Sequence, residues 1–380
     1  MNQQTDNMKE QCDQYILITT VAELLYLVYC AVNETVPSIG SVEKVDLSEL
    51  YSVAEQHSLT ATVAYALELA GVQDAAFLQA RGKAIRRTVL MDQEMSSVLE
   101  RLEETGIWYM PLKGAVLKDL YPVYGIRQMG DRDILFDADR AEDVRTIMES
   151  LGFTTEDYGK THHDCYRKSP SINFEMHREL VAQFSVENLH PYYRDVKARL
   201  LKDEGNGYGW HFSPEDFYIY MVAHAYKHYA CYGTGLRSLL DTYVYLKNVA
   251  VDLDYVTQEC SKLGVADFEA TYRSLALHLF GEEVLKEEEQ KMLQFIVSSG
   301  TYGNERTRAK MVLDEKGRWG YFFSRITPPF WVMKELYPVL NKHPVLYPLC
   351  WAHRLVYAVL YKNKKVLYQL KAGMMWKEKK

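Results

Sequence analysis

The sequence has no Cys-x-x-Cys pair, no unbroken apolar run of membrane-spanning length and no excess of positive charge. Its six cysteines (Cys12, Cys30, Cys165, Cys231, Cys260 and Cys350) are scattered. That spacing fits neither a zinc knuckle nor a disulfide framework, and it suits free thiols in a reducing compartment. The net charge of −7 argues against a domain that coats nucleic acid, although it leaves room for a local basic pocket. The apolar run over residues 16–32 is broken by Thr19, Thr20 and Glu23 and reads as a buried helix. The run over 346–361 holds His353 and Arg354 and is short for a membrane span. The first residues, MNQQTDNMKEQCDQ, lack the basic-then-apolar order of a signal peptide, so a cytoplasmic protein is expected. Lys362, Lys364, Lys365 and the lysines of 377–380 read as a solvated basic tail. No internal repeat is present.

What is there is the composition of a soluble globular chain, with 48% hydrophobic and 25% charged residues over 380 positions, enough for two or three domains. Four regions are expected: an N-terminal helical region over 1–105, an α/β core over 106–210, a helical domain closing a cleft over 211–300, and a C-terminal helical region over 301–380 with the basic tail. Residues 47–71 have the three-four apolar spacing of a helix pair, and 80–104 continue it up to Gly106. Ser213-Pro214-Glu215-Asp216 is a helix start, with a serine cap, proline at the first position and acids in the first turn. The following helix places His224 and His228 four apart. The 29 tyrosines, dense toward the C-terminus, fit a packed aromatic interior better than a base-stacking surface.

Residues 107–136, IWYMPLKGAVLKDLYPVYGIRQMGDRDILF, carry most of the chemistry. An apolar strand over 107–112 runs into Lys113-Gly114. A helical pattern follows, with Val116, Leu117 and Leu120 on one side. The segment closes on Asp131-Arg132-Asp133 and a second apolar strand. Alternate strand residues share a face, so the two aspartates are expected to point the same way, about 6–7 Å apart. Carboxylates that close repel unless a cation lies between them, and Mg2+ prefers such oxygens while sharing its shell with phosphate. Thr154–Tyr158 and His163–Lys168 read as a hairpin. Residues 172–177 alternate apolar Ile172, Phe174 and Met176 with Asn173, Glu175 and His177, which offers a third carboxylate.

These motifs resemble the nucleotidyltransferase superfamily of the DNA polymerase β type. They look more closely like a bacterial family of uncharacterised nucleotidyltransferases with Leu-Lys-Gly, then Arg, then Asp-x-Asp, then Glu-x-His. Here these are Leu112-Lys113-Gly114, Arg127, Asp131-Arg132-Asp133 and Glu175-Met176-His177. Ala115 stands where the superfamily usually has serine, and Arg132 where it usually has an apolar residue. The resemblance implies an α+β fold, a small mixed sheet with flanking helices. It implies Asp131, Asp133 and Glu175 as catalytic groups and as ligands of Mg2+ or Mn2+. It implies Lys113, Gly114 and Arg127 at the nucleotide, with His177, His224 and His228 bordering the cleft. The activity implied is transfer of a nucleoside monophosphate from an NTP to a small-molecule, sugar or protein hydroxyl, with release of pyrophosphate. A catalytically inactive nucleotide-sensing or partner-binding module of the same fold is the alternative. Two other patterns are weaker. His162-His163-Asp164 with His224, His228 and Asp241 has the composition of a His-Asp metal phosphohydrolase, but the pair falls in a strand or loop rather than a helix. Arg237 and Asp241, four apart, are expected to pair along their helix.

Overall fold

A computed structural model of the chain describes residues 19–361, apart from 43–44, 183–187, 206, 232, 282, 301–312, 314–316, 318, 324–325, 329 and 338. The polar N-terminus and the lysine tail lie outside the described residues, as do the first positions of the 16–32 run.

Helices α1 (Thr19–Asn33), α2 (Leu47–Gln56), α3 (Thr60–Leu69) and α4 (Ala75–Thr105) precede the first strand. Asp74 starts α4 by accepting the Ala76 and Phe77 amides at 3.0 Å each, and Gly106 ends it in the left-handed region at φ 68°. The inward stripe of α4, which includes Met91, Met95, Val98 and Leu102, covers one face of a sheet. That sheet contains β1 (Tyr109–Pro111), β2 (Arg132–Phe136), β3 (Thr154–Asp157), β4 (His163–Lys168) and β5 (Ile172–His177), in the order β1-β2-β5-β4-β3. β2 pairs parallel with β5 and antiparallel with β1, while β3, β4 and β5 are successive antiparallel neighbours. The fold is therefore α+β with a mixed sheet, as the alternating patterns predict.

Two expectations within this region change. The strand placed at 107–112 shrinks to three residues, because Pro111 cannot donate to the ladder and the Leu112 amide bonds the Asp133 carbonyl at 2.9 Å instead. The amphipathic helix after Lys113 is one turn, α5 (Gly114–Leu117), followed by a single 3-10 turn ending at Leu120. Tyr121-Pro122 then stops it, since the residue before proline is driven to an extended conformation; Tyr121 has ψ 146°.

Helix α6 (Ala141–Ser150) joins α4 on the same face of the sheet, burying Val144, Ile147 and Met148 against Phe153, Tyr166 and Phe174. Beyond β5 comes a two-stranded hairpin absent from the sequence reading, β6 (Leu200–Lys202) with β7 (Trp210–Phe212), whose connection includes Gly205 and Gly209. Gly209 has no room for a side chain, since a Cβ there would lie 2.5 Å from Asp203 Oδ2. The helices α7 (Pro214–Cys231), α8 (Leu236–Asn248), α9 (Leu253–Leu263), α10 (Ala266–Gly281) and α11 (Glu287–Ser299) follow. Ser213 caps α7 as its sequence predicts, accepting the Asp216 amide at 3.1 Å.

The chain divides into two compact units, one of residues 1–227 and 234–301, the other of residues 228–233 and 302–380. In the second unit, helices α12 (Phe330–Leu336) and α13 (Tyr347–Tyr361) pack through a small cluster of Met333, Leu340 and Cys350, with Tyr337 and Trp351 at its margin. Among the described residues, no helix is long and apolar enough to cross a membrane. Cys30, Cys165, Cys260 and Cys350 are free thiols.

Candidate active site

The β2–β5 pairing is parallel and in register, so Asp133 lies directly opposite Glu175, and Leu135 opposite His177. Ile134, Phe136, Phe174 and Met176 point into the apolar layer under α4 and α6. Strand alternation therefore turns Asp133, Glu175 and His177 to the other face, and adds His163 and Cys165 from β4, which pair with His177 and Glu175. One face of the sheet is greasy and the other carries ionisable groups.

Asp133 is the hub of that face and is only 4% exposed. Its Oδ1 accepts from Lys113 Nζ at 2.8 Å and meets His177 Nε2 at 2.9 Å. Burial opposes its ionisation, but the Lys113 ammonium and the His177 hydrogen bond outweigh burial and hold the carboxyl well below the usual range. Glu175 behaves oppositely. Burial, then the charges of Asp133 and Asp131, push it up to about 7. Asp131 is half-buried just ahead of β2 rather than on it, and burial and Asp133 raise its pKa too. One polar group from each of Asp133, Glu175 and His177 lies within 4.8 Å of the others; Asp131 does not join that set among the described residues.

The turn before α5 works differently from its sequence pattern. The residue with positive φ is Lys113, at 44°, a region L-residues seldom enter. Two bonds to one partner hold it there: the Leu112 amide to the Asp133 carbonyl, and Lys113 Nζ to the Asp133 carboxylate. Gly114 is needed for space, since a Cβ would lie 2.4 Å from Met129 Cε and 2.5 Å from Arg127 Nη1.

Arg127 was expected as a phosphate-facing cation. Its guanidinium is instead committed inside the protein, Nε and Nη2 reaching Asp241 Oδ1 and Oδ2 at 2.7 and 2.8 Å. Tyr121 donates to the same Oδ1 at 2.7 Å. The expected Arg237–Asp241 pair along α8 is accordingly replaced, because the carboxylate is already filled by a planar two-point partner. Arg237 Nη1 donates to the Gln128 carbonyl at 3.1 Å, and its charge together with those of Lys113 and Arg127 steadies the Asp131 carboxylate. The N-terminal helices, read in sequence as packing alone, also grip this loop. Thr60 Oγ1 donates to Gln128 Oε1, Thr62 Oγ1 to the Ile126 carbonyl and Arg87 Nη2 to the Gly130 carbonyl.

Arg132, between the two aspartates, points through the sheet to the opposite face, fully buried, with Nη2 on Asp92 of α4. It therefore leaves the acidic face to its neighbours. The His-Asp pair is split in the same way: His163 shares the face of Glu175, whereas Asp164 lies beneath, bound to Arg178 Nε at 2.8 Å and the Gly159 amide at 2.7 Å. With Asp241 taken by Arg127 as well, the phosphohydrolase pattern has no common site.

Facing the ionisable side is α7, whose Tyr220 is 2% exposed and feels the charges of Lys113, Asp133 and Glu175. Its hydroxyl has no hydrogen-bond partner among the described residues. Lys227 is close enough to depress the pKa of His162, His163 and His177. His224 lies one turn beyond Tyr220, with ring centroids 6.3 Å apart. His228 belongs to the second unit. Sequence reasoning passed over Tyr220 and Cys165, read Arg237 only as a partner of Asp241 along its helix, and read His163 only as part of the phosphohydrolase pattern. The alternation of β4 was the available signal for His163 and Cys165.

Residues 43–281 match the sequence model of a family described as uncharacterised nucleotidyltransferase, well over half of the 380-residue chain. The chain belongs to that family. No curated protein and no solved structure matches it. As a nucleotidyltransferase-family protein it takes its acidic face, Asp133 and Glu175 in register on parallel strands, from the middle of the matched region.

Proposed function

We propose that this nucleotidyltransferase-family chain moves a nucleoside monophosphate from an NTP to a hydroxyl acceptor and releases pyrophosphate, using Mg2+ or Mn2+. The observation that carries the reading is the Asp133–Glu175 register on adjacent parallel strands, with Asp131 at the mouth of the same strand. The donor set suits a hard cation: carboxylate oxygens dominate it, and the crowding that raises Glu175 is the repulsion a divalent ion relieves. Asp131, Asp133 and Glu175 would hold the ion. Bound there, it supplies charge neutralisation on the triphosphate and Lewis-acid polarisation at the α-phosphate.

The chain's own groups divide the remaining work. Glu175 serves as a ligand of the ion or as the base whose carboxylate accepts the acceptor hydroxyl's proton. Lys113 sits at the rim of Asp133, and on substrate entry its ammonium is placed to shift toward a phosphate oxygen. Arg127, locked on Asp241, contributes fixed positive charge beside Asp131 without touching the nucleotide. Gly114 keeps the Lys113 turn close to that guanidinium. His177 orients Asp133, and His224 borders the cleft from α7. A small molecule, a sugar or a protein side chain all remain chemically suitable acceptors.

Calorimetry with ATP, CTP, GTP and UTP, each with and without Mg2+, tests this reading. Metal-dependent binding that disappears in Asp131→Asn/Asp133→Asn is expected. Equal binding without metal and in that double variant sinks the mechanism. Pyrophosphate release that depends on Glu175 separates transfer from a nucleotide-sensing module, which binds without turnover.

A further inference from the structure

The acidic face has a nitrogen-rich neighbour that the proposed transfer chemistry leaves unused. His162 and His163 reach it from the start of β4, and His177 from the end of β5. One nitrogen from each lies within 4.8 Å of the other two. Ring centroids are 4.5 Å apart for His162–His163, 5.1 Å for His163–His177 and 5.6 Å for His162–His177. Three imidazoles at such distances cannot all be charged together, and each neutral ring keeps one nitrogen lone pair free to bind an ion.

We propose that His162, His163 and His177 form a site for a borderline divalent transition-metal ion of the zinc type, adjoining the carboxylate pair. It stands on the histidine geometry and does not depend on the transfer reading.

Four observations support it. First, Nδ1 of His177 is buried and has no hydrogen-bond partner among the described residues. A buried nitrogen without a partner costs about 1–3 kcal/mol, and His177 as a whole is only 2% exposed. Second, His177 Nε2 bonds Asp133 Oδ1 at 2.9 Å, which leaves Nδ1 as the donor. A carboxylate behind the ligating imidazole is the usual means of fixing its tautomer and raising its basicity. Third, His162 Nε2 and His163 Nδ1 are 3.4 Å apart. Two nitrogens each about 2.0–2.1 Å from one tetrahedral ion are separated by about 3.3–3.4 Å. Fourth, further donors adjoin the cluster: Cys165 and Glu175 each offer an atom within 4.8 Å of one on His163. Imidazole nitrogen with a carboxylate or thiolate is a donor set for zinc-like ions rather than for Mg2+. The cations Lys113 and Lys227 face the cluster and oppose the ion, while Asp133 and Glu175 offset them.

The test is a titration of the chelator-treated full chain with Co2+, read by its visible absorption, and with Zn2+ by calorimetry and by displacement of the Co2+ band. Stoichiometric Co2+ binding with an intense tetrahedral-type band is expected, retained in excess Mg2+ and in Asp131→Asn. His162→Ala and His163→Ala each weaken binding by more than the ~10–100-fold that loss of an outer partner costs. His163→Gln, which keeps hydrogen bonding, gives the same loss and covers the case in which alanine impairs folding. Absence of stoichiometric binding, unchanged affinity in the histidine variants, or loss of the band on Mg2+ addition overturns the proposal. Failure of pyrophosphate release under any of these conditions bears on the transfer reading alone.

Discussion

Truncating Asp241 should damage the fold more than deleting it together with its partner. The Arg127 and Asp241 side chains are 8% and 9% exposed, and two near-parallel bonds of 2.7 and 2.8 Å join them. Asp241→Leu leaves the guanidinium buried without a counter-charge, a loss of about 3–5 kcal/mol, and orphans the Tyr121 hydroxyl at a further ~1–3 kcal/mol. A central value of ~6 kcal/mol, at the lower end of ~2–4 °C per kcal/mol, lowers the midpoint of thermal unfolding by about 12 °C. Arg127→Met/Asp241→Leu in a Tyr121→Phe background replaces the network by apolar groups of similar volume. It should return to within about 2 kcal/mol of the starting protein. Urea unfolding followed by circular dichroism, run as a double-mutant cycle without added metal, measures the coupling. A value of about 3 kcal/mol or more is expected. Additivity within ~0.5 kcal/mol would show that the pair is not one buried unit, and the argument that Arg127 is withheld from the nucleotide would fall with it.

Three further outcomes are expected. Gly114→Ala drives a methyl into Arg127 Nη1, which Asp241 prevents from yielding, and should cost about 1–3 kcal/mol; adding Met129→Ala relieves only part of this, as thermal unfolding will show. Arg132→Met should be neutral within about 1 kcal/mol, because Nε and Nη1 are buried and unpartnered, whereas Asp92→Ala strands a buried charge and should cost about 3 kcal/mol in urea. Glu175 has a folded pKa raised from 4.5 to about 7, so between those values the folded state holds a proton the unfolded state has lost, and stability falls as pH rises. Glu175→Gln should gain on the parent by at most about 3 kcal/mol from pH ~5 to ~8, and parent affinity for Mn2+ should rise through pH ~7; a flat difference in unfolding curves refutes the assignment.

Much of the frame was legible because it rests on local periodicity. The alternation of 172–177, the caps at Gly106 and Ser213, and the three-four stripe of α4 all follow from short-range rules. What escaped was set by partners distant in sequence. Nothing local in Arg237-x-x-x-Asp241 shows that the aspartate is filled by a residue 114 positions earlier. Gly114 reads as a phosphate-loop glycine, yet its constraint comes from Arg127 and Met129 folding over it. The β6–β7 hairpin is three residues a side, too short to produce a pattern. Strand alternation explains Arg132 once the α4 side is known to hold Asp92, but the sequence offers no sign that an acid awaits it there.

These long-range contacts also explain why a strand bearing two aspartates is tolerable before any ligand arrives. β2 is paired on both edges, so Asp133 cannot retreat from Glu175 by shifting the backbone. Lys113, from the turn before α5, meets the charge of Asp133 and Glu175, and Arg127, from the loop leading into β2, and Arg237, from α8, join it at Asp131. Only Lys113 touches the hub carboxylate directly, and it is also the residue held at a positive φ. Arg127 and Arg237 are anchored elsewhere and act at a distance. On the proposed reading, an incoming phosphate would compete for that one ammonium rather than for the whole cationic set. Withdrawal of that ammonium would leave Asp133 facing Glu175 with its principal neutralising charge gone, the condition under which a divalent ion binds most strongly. Substrate entry and metal affinity are coupled through Lys113 on this account, in the same sense for both ligands.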